Sequence, residues 1–256
     1  MVIDSHLHLE IDGDHDQAVR SLCHELDLVG IDRCCLMPRV WRTGAFMSTD
    51  DLVEIAGRVS RIVADVPGRF YPLIWLNPIL PHSFIERYVH EHVLDGPFAG
   101  VKLSVQMNAT DPRLEPMFEL LSEHDVPVLF HSWYKTVDRI LFESTPADIA
   151  QLARAFPRMR ILLAHITGAR IRGIDDVAPF PNLYFDTSGS QPEDGYLRHA
   201  VDTLGAERVL FGSDYPGRDI AVQLARIDSI DLTETERQAI LWRNAVRFYE
   251  GRTPDA

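Results

Sequence analysis

The sequence predicts one (β/α)8 TIM barrel of the α/β class, and three observations support this. Short apolar runs recur eight times, each followed by polar or Gly/Pro residues and then by a segment with helical spacing. Several runs are β-branched or apolar throughout, as is typical of strands covered on both faces. Eight strand–helix units within 256 residues fit one closed parallel barrel better than an open doubly wound sheet.

The predicted strands are, in chain order, residues 2–9, 33–37, 70–76, 100–104, 127–131, 160–165, 183–186 and 208–214. The predicted helices cover residues 15–29, 49–66, 83–94, 112–124, 146–156, 195–204, 217–227 and 233–249. Thr233 before an acidic turn, and Asp111 before Pro112, are typical helix starts. No change in composition marks a linker, so residues 1–256 are expected to form a single domain.

Charge and composition narrow the class of partner. The chain has 25 Lys and Arg against 38 Asp and Glu, and its formal charge of −13 disfavours nucleic acid and anionic membranes. A small-molecule substrate is therefore expected. The chain starts with a strand-like run, without a basic leader, and has no apolar stretch of about 18 residues, so a cytoplasmic location is expected.

The first predicted strand carries a pattern typical of metal ligands. Side chains alternate along a strand, so Asp4, His6 and His8 share one face, and two imidazoles spaced in this way can grip one ion. A bare pair of histidines is more often solvated or hydrogen-bonded than ligating. Four further strands end in Lys102, His131, His165 and Asp214, and in a barrel all these ends surround one mouth. Together they predict a divalent metal site at the C-terminal mouth.

Each of the other strand ends has an alternative interpretation. A buried Lys102 is expected to have a partner or a chemical modification, because an unpaired ammonium is costly to bury. It could pair with Asp214, bind a substrate carboxylate or carry a carbamate that bridges two metals; it could also extend to the barrel rim. His131 and His165 could be hydrogen-bonded core histidines, and Asp214 could cap the next helix.

The chain resembles the amidohydrolase superfamily, in its amidohydrolase-related branch, which also contains non-oxidative decarboxylases and lactonases. The motifs that carry the resemblance are residues 3–8 (IDSHLH), 100–103 (GVKL), 126–131 (VPVLFH), 164–165 (AH), 210–216 (LFGSDYP) and 243–249 (RNAVRFY).

The resemblance implies that His6, His8, His131 and Asp214 hold the principal metal, with zinc expected first and manganese as the alternative. His165 would act on the substrate or bind a second metal. Lys102 lies on the predicted strand that supplies a carboxylated, metal-bridging lysine in binuclear relatives. The resemblance therefore allows one or two ions per chain, and one ion is favoured. Superfamily DNases tend to have a glutamate on this strand. Lys102 and the net charge of −13 therefore argue against a DNase.

The loops at the mouth are expected to bind the substrate. Cations that could receive a carboxylate are Arg39, Arg42, Lys135 and Arg170, and each could equally be a solvated surface charge. His131 leads into Ser132-Trp133-Tyr134-Lys135, where relatives often have a small turn with glycine, so a different pocket shape is expected. Trp133 and other loop aromatics could line the pocket or form a contact between two copies of the chain, and a homodimer stays open.

Three functions remain open. The first is a metal-dependent hydrolase that activates water to cleave an amide, ester or lactone bond in a small, carboxylate-bearing molecule. In it Asp214 ligates the metal and shuttles a proton, and His165 steadies the oxyanion. The second is a metal-dependent decarboxylase of a small unsaturated or aromatic acid, in which bound water or His165 protonates the carbon. The third is a non-catalytic metal-binding barrel that serves as a scaffold or sensor.

Overall fold

In the computed structural model, residues 1–10, 15–39, 46–135, 137–138, 140–190 and 194–249 are described. Eight parallel strands form one sheet in the order β1 to β8. Their bounds are β1 Ile3–Leu9, β2 Arg33–Pro38, β3 Phe70–Trp75, β4 Gly100–Leu103, β5 Val128–His131, β6 Ile161–Ala164, β7 Leu183–Asp186 and β8 Val209–Leu210. The predicted (β/α)8 TIM barrel is confirmed.

Helices connect the strands on the outside. Their bounds are α1 His15–Leu28, α2 Thr49–Asp65, α3 His82–Val89, α4 Glu115–Glu123, α5 Pro146–Ala155, α6 Ile166–Val177, α7 Tyr196–Leu204, α8 Ile220–Asp228, α9 Glu234–Gln238 and α10 Asn244–Tyr249. A π-helical turn at His90–Leu94 extends α3, and another at Ala239–Arg243 joins α9 to α10. No helix in the described part of the chain is long and apolar enough to cross a membrane.

The sequence prediction missed one helix, α6, between β6 and β7. Gly168 and Gly173 lower its helix propensity, and Arg170 interrupts it with a φ of 59°. These breaks hide the apolar periodicity from which the other helices were predicted. Another difference is the start of α8, which was predicted at residue 217. The Asp219 side chain accepts the Val222 N–H at 3.0 Å and caps the helix there.

The two edges of the sheet meet through β1 and the segment after β8. Backbone N–H groups of Ser5 and His8 donate to the carbonyls of Phe211 and Tyr215, and the Asp214 N–H donates to the His6 carbonyl, at 2.7 to 2.8 Å. β8 itself is only two residues long, because residues 211–215 leave the regular ladder. This closure places the predicted ligands of the first and last strands side by side.

The core has two layers. Inside the barrel, Ile3, Cys35, Leu73 and Leu129 pack with side chains from α10, among them the fully buried Tyr249. A larger apolar layer fills the space between strands and helices, and Cys34 belongs to it. Adjacent Cys34 and Cys35 therefore point to opposite faces, and both are buried free thiols.

Candidate active site

All six polar strand-end residues meet at one cavity. His6, His8, Lys102, His131, His165 and Asp214 line a space of about 820 Å³ at the C-terminal mouth of the barrel. An apolar depression elsewhere, beside Ile79 and Phe142, measures about 390 Å³ and lacks such a set of ligands. Within the described part of the structure, the mouth is therefore the strongest candidate for an active site.

Three ligand atoms converge at the base of this cavity. His6 Nε2 lies 3.2 Å from His8 Nε2, and Asp214 Oδ1 lies 3.7 Å from the first and 3.6 Å from the second. Donors bound at about 2.1 Å to one ion, at tetrahedral or octahedral angles, lie about 3.0–3.4 Å apart. The spacing of these three atoms and their chemistry fit one divalent ion after small side-chain movements.

Hydrogen bonds prepare His6 for this role. His6 Nδ1 lies 2.7 Å from Asp186 Oδ2 at the end of β7, and both side chains are buried. A carboxylate only accepts hydrogen bonds, so Nδ1 carries the proton and Nε2 keeps its lone pair. Carboxylates commonly orient metal-binding histidines in this way. Burial lowers the pKa of His6 and of His8 well below the usual range, which favours the neutral, ligating form.

Asp214 adopts an unusual backbone conformation, with a φ of 61°. Left-handed backbone is costly for a residue other than glycine and is concentrated at functional sites. Burial raises the pKa of Asp214 to about 6, although Lys102 opposes this change. A bound cation would hold the carboxylate ionised, which is the state that ligation needs.

His131 lies on the cavity wall, but its Nε2 faces another group. It is 2.8 Å from Glu143 Oε1, and Lys135 Nζ is 2.9 Å from the same oxygen. Burial alone would raise the pKa of Glu143, but hydrogen bonds from His131 and Lys135 outweigh it and lower that pKa. The assignment of His131 as a metal ligand stays a prediction, and in this geometry it requires Nε2 to leave Glu143 or Nδ1 to bind.

His165 is a further neutral imidazole beside the cluster. Its ring centroid is 5.0 Å from those of His6 and His131, and its φ of 71° is again left-handed. Burial lowers its pKa well below the usual range. Its Nδ1 lies 2.9 Å from Ser188 Oγ and 4.0 Å from Asp214 Oδ2. His165 is thus close enough to act together with Asp214.

The cavity holds both lysines of the chain. The sequence has only Lys102 and Lys135, and both line this space. Lys102 is 2% exposed and makes no ion pair within 4 Å among the described residues, so the alternative in which it pairs with Asp214 is not formed. Burial lowers the pKa of Lys102 to about 8, although the charges of Asp186 and Asp214 raise it in part.

The predicted loop residues fall into three groups. Trp133 and Lys135 line the cavity, as does Arg39, which also pairs with Glu10 at 2.8 Å. Arg170 is not among the lining residues; it forms the kink in α6. Arg42 lies outside the described residues. Of the predicted loop residues, the loop between β5 and α5 therefore contributes two, Trp133 and Lys135, to the cavity wall.

Three buried polar residues of the site were not predicted. Asp186 and Ser188 follow the apolar run of β7, and a carboxylate at that strand end was the available signal. Glu143 comes from the β5–α5 loop, where no periodicity marks it. All three act on predicted residues through hydrogen bonds.

Comparison with curated proteins gives a relative among the lactonases. An L-fucono-1,5-lactonase from Burkholderia ambifaria is 26% identical over 189 residues, or 64% of this chain and 59% of the lactonase. The chain thus spans about three fifths of that relative.

Among solved structures, a 2,6-dihydroxybenzoate decarboxylase from Rhizobium matches with a TM-score of 0.75 and 18% identity, over 97% of this chain and 98% of the other. A 5-carboxyvanillate decarboxylase from Novosphingobium aromaticivorans, complexed with manganese and 4-hydroxy-3-methoxy-5-nitrobenzoic acid, matches with a TM-score of 0.78 and 14% identity, over 98% and 96%. At these identities the likeness shows the fold.

The family assignment comes from a sequence-family model. The amidohydrolase model of the Amidohydro_2 type matches residues 3–251, which is nearly the whole chain. The matched region contains the full ring of strand-end residues at the barrel mouth. The chain therefore belongs to the amidohydrolase family.

Proposed function

We propose that the protein is a metal-dependent hydrolase that cleaves an amide, ester or lactone bond in a small, carboxylate-bearing molecule. The observation that carries this proposal is the convergence of His6 Nε2, His8 Nε2 and Asp214 Oδ1 within 3.7 Å beneath a cavity that holds two amines. The similarity to a lactonase supports it.

We assign one divalent ion to His6, His8 and Asp214, with zinc expected first and manganese tested alongside. When bound, such an ion supplies Lewis acidity, which polarises a carbonyl and acidifies water. His6, His165 and Asp186 also offer close ligand atoms, but Asp186 is hydrogen-bonded to His6 Nδ1 at 2.7 Å. That second group is accounted for as a hydrogen-bonded network, which supports one ion rather than two.

The chain's own groups divide the remaining work. In hydrolysis the water oxygen bonds to the acyl carbon, the bond to the leaving oxygen or nitrogen breaks, and the water proton passes to the leaving group. Asp214 is placed to carry that proton, because its carboxylate lines the cavity beside His6 and His8. Lys102 and Lys135 offer charge to a substrate carboxylate, and Trp133 forms part of the wall.

The test is turnover by the full chain loaded with zinc or manganese. We would assay lactones, cyclic amides and esters, each with and without a carboxylate, by proton release and by incorporation of labelled water oxygen. Asp214→Asn should keep the fold and lose at least a hundredfold in turnover, in line with the loss of a general base. Asp219→Asn, which alters only the cap of α8, is the matched control. Substantial turnover by Asp214→Asn would refute the role of Asp214.

A second candidate is a decarboxylase of a small unsaturated or aromatic acid. It is favoured by the pairing of amines with aromatic walls, since Lys135 lies 5.6 Å from the Trp133 ring centre and the His8 ring stacks on Trp75. A planar hydroxybenzoate suits such a cavity. Release of CO2 from hydroxybenzoates, without incorporation of labelled oxygen, would replace the hydrolase proposal. An ion whose bound ligands are not displaced by any added carboxylate would favour a non-catalytic scaffold.

A further inference from the structure

The end of β7 and the residues after it lie between His6 and His165, two neutral histidines of the site. Asp186 Oδ1 accepts the backbone N–H groups of His165 at 2.9 Å and Ser188 at 3.0 Å, and Ser188 Oγ lies 2.5 Å from the same oxygen. Asp186 Oδ2 accepts a hydrogen bond from His6 Nδ1. One fully buried carboxylate thus contacts both histidines, directly on one side and through a serine on the other.

The protons in this network can be placed one at a time. Asp186 as a carboxylate only accepts, so the Ser188 hydroxyl donates its one hydrogen to Oδ1. Ser188 Oγ then has only lone pairs left for His165 Nδ1, which lies 2.9 Å away. The hydrogen between these two atoms must therefore belong to Nδ1. In a neutral imidazole the other nitrogen, Nε2, is then unprotonated.

His165 Nε2 has room to act. Within the described residues no hydrogen bond engages it, and it is absent from the buried polar atoms that lack a partner. The ring itself lines the cavity between His6 and Trp133. An imidazole nitrogen with a lone pair therefore faces the space where a substrate would bind.

We propose that Ser188 is a positioning residue, which relays the Asp186 charge to His165 and fixes its ring with the proton on Nδ1 and a lone pair on Nε2. His165 then accepts a hydrogen bond from the bound molecule, through a hydroxyl, an amide N–H or a water. It does not donate one to an oxyanion, in contrast to the role expected from the sequence. The part played in turnover rests on the proposed hydrolase function, whereas the tautomer does not.

The experiment reads the tautomer directly. The zinc-loaded full chain, labelled with ¹⁵N in its histidine rings, would be studied by NMR, and His165→Gln would identify the signals of His165. We expect the wild-type spectrum to show a protonated Nδ1 and an unprotonated Nε2. Ser188→Ala should move the proton partly or wholly to Nε2, and Ser188→Thr, which keeps a hydroxyl, should restore the wild-type pattern.

The control is Ser132→Ala, which removes another buried hydroxyl at the mouth, one that donates to the Ala164 carbonyl at 3.3 Å. It should leave the His165 signals unchanged. A proton on His165 Nε2 in the wild-type protein would overturn the proposal even if the Ser188 variants do not fold, and so would a Ser188→Ala spectrum identical to the wild type. Because no substrate is needed, failure of the hydrolase assay leaves this result intact, and the reverse also holds.

Discussion

Asp186 is not assigned as a metal ligand, but it determines which nitrogen of the ligand His6 carries the proton. Its Oδ1 accepts three donors, from His165, Ser188 and the Ser188 hydroxyl, while Oδ2 accepts from His6. The two oxygens are therefore not equivalent. Any amide placed here must turn its oxygen toward the three donors and its NH2 toward His6.

This asymmetry gives a prediction for Asp186→Asn. The amide NH2 would face His6 Nδ1 as a second donor, so His6 would shift its proton to Nε2 and lose its ligating lone pair. We expect zinc affinity to fall about 10–100-fold, measured by competition with a chelator. Asp175→Asn, whose side chain pairs with His199 on the surface, should bind zinc as the wild type does. Equal affinity of the two variants would contradict the orienting role.

Lys102 can be followed in isolation, because the chain has only one other lysine. In metal-free protein labelled with ¹³C-lysine, the Cε signal that disappears in Lys102→Met should titrate near pH 8, because burial lowers this pKa to about 8. The cationic form, which can bind a carboxylate, is present below that pH and is lost above it. Benzoate affinity should fall accordingly as the pH rises through 8, and Lys102→Met should lack this part of the pH dependence.

The same spectrum decides the chemical state of Lys102. A carbamate would remove the titration and give an additional carbon signal that is lost on acidification. We expect a free amine, in line with a single ion held by His6, His8 and Asp214. A titration midpoint well above 9 would contradict the burial of the amine.

At the scale of elements, the β5–α5 loop is held against α6 by close packing. A Cβ added to Gly168 would lie 2.6 Å from the Trp133 ring, whereas one added to Gly57 in α2 would meet nothing within 4 Å. The Gly168 carbonyl also accepts the Tyr134 N–H at 2.9 Å. The absence of a side chain at residue 168 thus determines where the aromatic wall of the cavity lies.

Gly168→Ala should therefore displace Trp133 and cost about 1–3 kcal/mol of stability, with weaker benzoate binding and altered tryptophan fluorescence. Gly57→Ala, in a helix interior, should instead gain roughly 0.5–1 kcal/mol. Urea unfolding and fluorescence titration measure both effects. If Gly168→Ala binds benzoate as well as Gly57→Ala does, the wall is not set by this contact.

Element prediction succeeded where local pattern and tertiary burial agree. The run at 161–164 is apolar throughout and forms β6, and the alternation around His6 and His8 correctly places them in β1. It failed for α6, whose glycines and kink at Arg170 serve packing against Trp133 and Pro146 rather than helix propensity. Such a helix depends on contacts made by distant parts of the chain.

The candidate site was predictable to the same extent. Strand ends converge in any barrel, so the strand-end residues could be placed at one mouth before the structure was known. Glu143 and Ser188 could not, because their roles come from distances to His131 and His165. The sequence order carries no such information for a loop residue.

At the scale of the whole molecule, Asp4 joins the first strand to the last. Its Oδ1 accepts the N–H groups of His6 at 3.1 Å and Ser213 at 2.9 Å, and its side chain is fully buried. Burial raises the pKa of Asp4 from 3.8 to about 7. The folded barrel therefore binds this proton more tightly than the unfolded chain does.

The sign of the resulting pH dependence follows from that difference. Between about pH 4 and pH 7 the folded state holds a proton that the unfolded state has lost, so this group makes stability fall as the pH rises, by up to about 4 kcal/mol. Asp4→Asn should remove that part of the slope in urea unfolding of the metal-free chain. Asp202→Asn, on the exposed face of α7, should keep it; equal slopes in all three proteins would contradict the prediction.

The closing contacts also bear on how the protein is made. Asp214 donates its backbone N–H to the His6 carbonyl, and the His8 N–H donates to Tyr215, so ligands 206 positions apart in the chain meet only where the sheet closes. During synthesis, a ribosome-bound chain that lacks the eighth strand offers an ion the two imidazoles of β1 without the Asp214 carboxylate. Firm metal capture then waits for the final strand, and loading with metal becomes a marker of a completed barrel.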